Sequence, residues 1–162
     1  MKKLYIIRHA KSSWEDSDQP DFERPLNKRG EHDADKIAQK LKVEKVSPEL
    51  ILSSPAKRAL TTANIFAEKL NYPIENIVTD INIYEAGLKE LTSVLHNLEN
   101  TSKNVMLFGH NPGLTSLVNM LGDKPVPHLP TCGVVGLKLN IESWEKLERY
   151  SGEIFLFEFP KK

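Results

Sequence analysis

The sequence predicts an α/β fold, a three-layer α/β/α sandwich around a mostly parallel central sheet. Two observations lead there. The runs Leu4-Tyr5-Ile6-Ile7, Leu50-Ile51-Leu52 and Val105-Met106-Leu107-Phe108 are continuously apolar and bounded by polar or Gly/Pro segments, which suits strands buried on both faces. Stretches of helical spacing lie between them, and strands that alternate with helices fold as parallel-rich sheets covered on both sides.

The helical stretches are residues 28–41, 56–70, 88–98 and 114–120. The first places Ala34, Ile37, Ala38 and Leu41 on one face, and the second does the same for Ala59, Ala63, Phe66 and Leu70. Ser54-Pro55 has the form of a cap followed by a first-turn proline, and Asn111-Pro112-Gly113 separates a strand from a helix in the same way. Residues 134–139 and 154–159 read as two further strands around a polar segment, 142–152. Residues 122–130, with three prolines, read as a loop.

A chain of 162 residues is expected to form one domain, 1–162, burying roughly 70% of its unfolded surface without disulfides or structural metals. Twenty-two Lys and Arg balance twenty-two Asp and Glu, so no global field favours nucleic acid or an anionic membrane. Any anion site must be local. Cys132 is the single cysteine, which excludes an intrachain disulfide and a Cys-based zinc site. The apolar run after Met1-Lys2-Lys3 stops at Arg8, short of the roughly 7–15 residues of a signal peptide and the ~20 of a membrane span. A cytoplasmic protein is expected, with a monomer as the default because the core claims the apolar helix faces.

In such folds the ligand site lies beyond the carboxyl ends of the strands, and three segments there carry chemistry. Arg8-His9 follows the first strand. Neutral imidazole is nucleophilic near neutral pH, and Arg matches phosphate oxygens with two hydrogen bonds. Phe108-Gly109-His110-Asn111-Pro112-Gly113 puts a second histidine at another strand end, beside a helix start whose amides favour an anion. The third segment, Ser53 to Ala63, puts Arg58 in the first turn of the helix that follows a third strand.

In chain order these segments resemble the histidine phosphatase superfamily, known for its Arg-His-Gly signature. The signature reads Leu4-Tyr5-Ile6-Ile7-Arg8-His9-Ala10-Lys11-Ser12-Ser13-Trp14 here. The likeness continues through Arg24-Pro25-Leu26-Asn27-Lys28-Arg29-Gly30, the Arg58 helix, Tyr84-Glu85-Ala86 and Gly109-His110-Asn111-Pro112-Gly113. Within that superfamily the chain is most similar to the small SixA-type phosphohistidine phosphatases. The resemblance implies a phosphoglycerate-mutase-like fold in which His9 becomes phosphorylated while Arg8, Arg58 and His110 hold the phosphate. It sets Glu85 where many relatives carry the general acid, and Asn111 beside the phosphate. Ala10 replaces the family's usual glycine. Glu15 falls near a position where mutase-like relatives use Asn on the phosphate. A carboxylate there would repel a dianion, so Glu15 is expected to point away and Ser12 or Ser13 to take its place.

The expected reaction is a double displacement through phospho-His9, with water completing hydrolysis. Arg8 and Arg58 supply positive charge without a metal or any other cofactor, and His110, if protonated, adds a third cation. Neither His9 nor His110 has a second His or Cys at ligand spacing, and Arg8 would repel a cation. Only 24 positions separate Glu85 from Gly109, room for a helix and a strand but no lid insertion. An open pocket suits a phosphohistidine-bearing protein as partner. The rival expectations are a small-metabolite phosphatase or mutase of the same superfamily, acting on a small phosphate ester, and a non-catalytic phosphate-binding module. His32 and His96 are expected at the surface, and His128 at the site rim only if its loop reaches that far.

Overall fold

The computed structural model describes residues 1–161. Its strands are β1 (Lys2–Arg8), β2 (Leu50–Ser53), β3 (Val78–Thr79), β4 (Asn104–Gly109), β5 (Val134–Leu139) and β6 (Gly152–Glu158). Its helices are α1 (Lys28–Val43), α2 (Lys57–Lys69), α3 (Leu88–His96) and α4 (Gly113–Leu121). The strands form one six-stranded sheet in the order β3-β2-β4-β1-β5-β6. β1, β2, β3 and β4 run parallel, and β5 and β6 add an antiparallel flank. The three-layer, mostly parallel architecture is therefore the one present.

Strand alternation distributes the apolar runs to two cores. Leu4, Ile6, Leu52, Val105 and Leu107 face a cluster with Leu91 and Leu95 of α3 and Leu114, Leu117 and Leu121 of α4. Tyr5, Ile7, Ile51, Met106 and Phe108 face the other side, against Ala34, Ile37 and Leu41 of α1 and Ala63 and Phe66 of α2. The continuous apolar runs thus reflect burial on both faces, since each successive side chain enters a different core. Phe66 and Phe108 pack edge to face at 5.2 Å between centroids, joining α2 to the middle of the sheet.

Two details differ from expectation. β3 is only two residues long with both side chains exposed, so no hydrophobic pattern announces it. Ser54 does not cap α2: the cap position is Ala56, which offers no side-chain bond, and the Ser54 hydroxyl accepts the Ala56 N–H instead. Among the described residues, no helix is long and apolar enough to cross a membrane.

The register fixes where the chemistry gathers. Arg8 is level with Gly109, and Ser53 with Phe108, so the carboxyl ends of β1, β2 and β4 finish side by side at one edge. The first residues beyond them are His9, Ser54 and His110.

Candidate active site

An open cavity of about 360 Å³ at that edge is lined by Arg8, His9, Lys11, Ser12, Trp14, Arg24, Arg58, His110, Asn111 and Thr131. Arg8, His9, Arg58 and His110, which the sequence reading gathers from three distant segments, all meet here. The two imidazoles lie 5.3 Å apart between ring centroids.

His9 is oriented by backbone. Its Nδ1–H donates to the Ala10 carbonyl at 2.7 Å, which leaves Nε2 as the nitrogen with a lone pair. Burial is the main cause that lowers its pKa from 6.5 to about 4; the Ala10 bond opposes the shift and the Arg58, Arg8 and Arg24 guanidiniums add to it. His9 is therefore a neutral imidazole at physiological pH. Ala10 in the glycine position costs nothing in conformation, because its φ is not positive, and its methyl is buried in the core. Its N–H donates to Thr62 Oγ1 at 3.0 Å, and the Thr62 hydroxyl donates to the Arg58 carbonyl at 2.8 Å. A buried threonine thus ties the His9 loop to the turn of α2 that carries Arg58.

His110 approaches Ser54 Oγ through Nε2 at 2.8 Å and meets the Tyr84 ring edge-on at 5.5 Å. Its pKa falls to about 3, first through burial, then through His9 and Arg58. The condition on which His110 would add a third cation is therefore not met: desolvation, with His9 and Arg58 behind it, keeps this ring neutral.

The third guanidinium of the pocket is Arg24, beside Arg8 and Arg58. Its Nε donates to the Ser13 carbonyl at 3.2 Å, one Nη to Asp21 at 2.8 Å and the other to Ser12 Oγ, while Trp14 stacks over the guanidinium. Arg58 is held by the same aspartate, donating to the Asp21 carbonyl at 2.7 Å and to its carboxylate at 3.0 Å. The Tyr84 hydroxyl donates to that carboxylate as well, at 2.6 Å. With Tyr84 as the largest cause and the two arginines behind it, the Asp21 carboxyl is lowered to about 2. Arg24 sits inside the Arg24-to-Gly30 segment that carries the family likeness. Asp21, three residues earlier in a short turn (Asp21–Glu23), left no signal beyond an Asp-x-x-Arg spacing.

Other expected residues divide. Ser12 is buried and lines the cavity, whereas the Ser13 hydroxyl accepts the Glu15 N–H at 3.1 Å and Ser13 does not line it. Glu15 is exposed and absent from the lining. Asn111 lines the cavity with both ends of its amide committed: its Nδ2 donates to the Leu129 carbonyl, and its Oδ1 accepts from the Thr115 N–H and hydroxyl. It clamps the 122–130 loop to α4, which corrects its expected role as a direct phosphate ligand. Glu85 is exposed, with a left-handed φ of 54°, next to the Tyr84 hydroxyl and outside the cavity lining.

His128 does reach the rim, with Nε2 3.4 Å from an Arg8 Nη. His32 is exposed as expected; His96 is half-buried and bonds the Leu147 carbonyl at 2.8 Å, so it is a structural group rather than a free surface one. Among the described residues, no group of three or more His, Cys, Asp or Glu side chains is placed to hold a metal ion.

This constellation at the carboxyl edge of the sheet is that of a histidine phosphatase. The model of the histidine phosphatase superfamily (branch 1) matches residues 4–91, and the chain belongs to that family. It is SixA-like throughout its length. It superposes on a crystal structure described as phosphohistidine phosphatase SixA from Agrobacterium tumefaciens with a TM-score of 0.81 and 27% identity, over 99% of each chain. A tungstate-bound protein histidine phosphatase SixA shares the fold, with a TM-score of 0.82 and 23% identity over 97% of this chain and 96% of that one. An uncharacterised chloroplastic protein of Arabidopsis thaliana is 33% identical over 159 residues, 93% of this chain and 72% of the relative. A 2,3-bisphosphoglycerate-dependent phosphoglycerate mutase of Bifidobacterium longum is 33% identical over 78 residues, which span 45% of this chain and 32% of the mutase.

Proposed function

We propose that this phosphatase acts without a metal through a phospho-His9 intermediate and that its substrate is a phosphohistidine on a protein. The observation that carries the mechanism is His9 itself, a buried neutral imidazole whose Nδ1–H is pinned to backbone, lining a cavity that also holds three guanidiniums. In the first step the Nε2 lone pair attacks phosphorus, an N–P bond forms, and the bond to the leaving group breaks as that group departs with the electron pair and takes up a proton. In the second, water attacks the phosphorus of phospho-His9, the N–P bond breaks, and neutral His9 returns with inorganic phosphate. Arg8, Arg24 and Arg58 face the charge that builds on the equatorial oxygens, a role guanidinium fills with paired hydrogen bonds. Ser12, bonded to Arg24, completes the polar wall, and Asn111 holds the loop beside it. Arg8 Nε and His110 Nδ1 are buried without a partner among the described residues, and both belong to this cluster.

Glu85 is the proton donor in this scheme, delivering through the mouth of the pocket beside Tyr84. Its exposure fits a phosphohistidine, whose leaving imidazole departs far more readily than an alkoxide and asks little of an acid. The open cavity and the likeness to SixA favour a protein partner over a small ester.

The test uses a phosphohistidine-bearing carrier protein and p-nitrophenyl phosphate, both in EDTA, with wild type and His9→Ala. Phosphate release that survives EDTA and vanishes in His9→Ala, with preference for the carrier, is the expected outcome. Equal activity in the variant removes the mechanism, and efficient saturable turnover of a small sugar phosphate with none on the carrier removes the substrate class.

A further inference from the structure

The four bonds that Asp21 accepts from other side chains are not explained by catalysis at His9. This residue bonds Arg58 twice, through its carbonyl at 2.7 Å and its carboxylate at 3.0 Å, and also takes bonds from Arg24 at 2.8 Å and Tyr84 at 2.6 Å. Its contacts come from α2, from its own short turn and from the segment before α3. Arg24 and Arg58 are each 7% exposed. Two nearly buried guanidiniums therefore share one carboxylate, which is itself half open to solvent. The other cations of the pocket are Arg8, which bonds the Leu129 carbonyl, and the exposed Lys11. Asp21 is the one acid bonded to this group among the described residues.

We propose that Asp21 is the positioning residue of the pocket, orienting Arg58 and Arg24 and offsetting part of their charge so that inorganic phosphate is released after turnover. The proposal rests on the cavity being a phosphate site, as argued above. Two opposed demands lead to it. Three guanidiniums around one dianion stabilise the transferring group, but they also hold the product. A like charge close to a bound anion weakens that anion's binding, and a carboxylate bonded to two of the three guanidiniums does so while keeping their forks aligned.

The sign of one measurement separates this role from a merely structural one. Asp21→Asn removes the charge and keeps the shape and one acceptor, its Oδ1 still able to take the Arg58 and Tyr84 bonds while the side-chain bond from Arg24 is lost, so inorganic phosphate should bind at least about fivefold tighter. Asp21→Ser, which removes the carboxylate bonds as well as the charge, should bind phosphate less tightly than Asp21→Asn. Turnover of p-nitrophenyl phosphate should show kcat and KM falling together in Asp21→Asn, because product leaves more slowly. A residue that only held the fold would do the reverse, since a disordered Arg58 binds phosphate less well. Calorimetric titration of inorganic phosphate into the full chain reads this without any turnover. Unchanged or weaker binding in Asp21→Asn, or binding by Asp21→Ser as tight as by Asp21→Asn, with wild type binding normally, overturns the role of Asp21 alone. If wild type binds no phosphate, the role of Asp21 and the phosphate site fall together.

Discussion

Lowering the pH from 7 to 5 should destabilise the fold through the two site histidines. Both are neutral in the folded chain, with pKa values lowered to about 4 for His9 and about 3 for His110 from 6.5. At pH 5 the folded state keeps both rings unprotonated while the unfolded chain protonates them, so the unfolded state binds more protons and stability falls with pH. The stability is present above 6.5 and is lost as pH drops toward the folded values. Between pH 7 and 5, each ring contributes about 2 kcal/mol of loss, or about 4 kcal/mol together. For a chain of this size that corresponds to a drop in Tm on the order of 10 °C. Urea unfolding at the two pH values, on wild type and on His9→Gln/His110→Gln, isolates the effect, because glutamine does not titrate. The double variant should lose about 4 kcal/mol less than wild type over the same interval. An identical loss in both proteins would refute the claim that these rings are buried neutral. That claim also underlies nucleophilic His9, so the stability measurement bears on the mechanism.

Three other perturbations test separate parts of the site. Thr62→Val keeps the shape but strands the Ala10 N–H in the core, and should cost about 1–3 kcal/mol in urea unfolding and lower kcat by loosening the link between His9 and Arg58. In Gly30→Ala the new Cβ would run into the carbonyl oxygen of Lys11, a backbone atom of the pocket loop, so a loss of at least about 2 kcal/mol in thermal unfolding and weaker phosphate binding are expected. Glu85→Gln should slow an alkyl phosphate ester by about 100-fold or more and a phosphohistidine carrier by only a few-fold, read as kcat on each substrate. Equal losses on both would reject Glu85 as the proton donor.

Much of the fold could be read from the sequence because its strongest signals are local. Runs such as Val105 to Phe108 are apolar throughout because both sheet faces are covered, and helices such as α1 repeat Ala34, Ile37, Ala38 and Leu41 on one side. β3 escaped because two exposed residues carry no period. Ser54 is not the cap that Ser54-Pro55 suggests, because its hydroxyl accepts the Ala56 N–H and lies 2.8 Å from His110 Nε2, a partner brought there by the pairing of β2 with β4.

The sequence by itself determined the alternating architecture, the strand ends, and the identity of His9, Arg8, Arg58 and His110 as the groups found there. It did so because strand and helix periods and turn chemistry depend on near neighbours along the chain. Tertiary structure alone decided that Arg24 is the third guanidinium, that Asp21 is shared between Arg24 and Arg58, that Thr62 ties Ala10 to Arg58, and that both histidines are neutral. Each of those facts depends on distance and desolvation between residues as far as 101 positions apart, as His110 is from His9, and neither is written in the spacing of a linear chain.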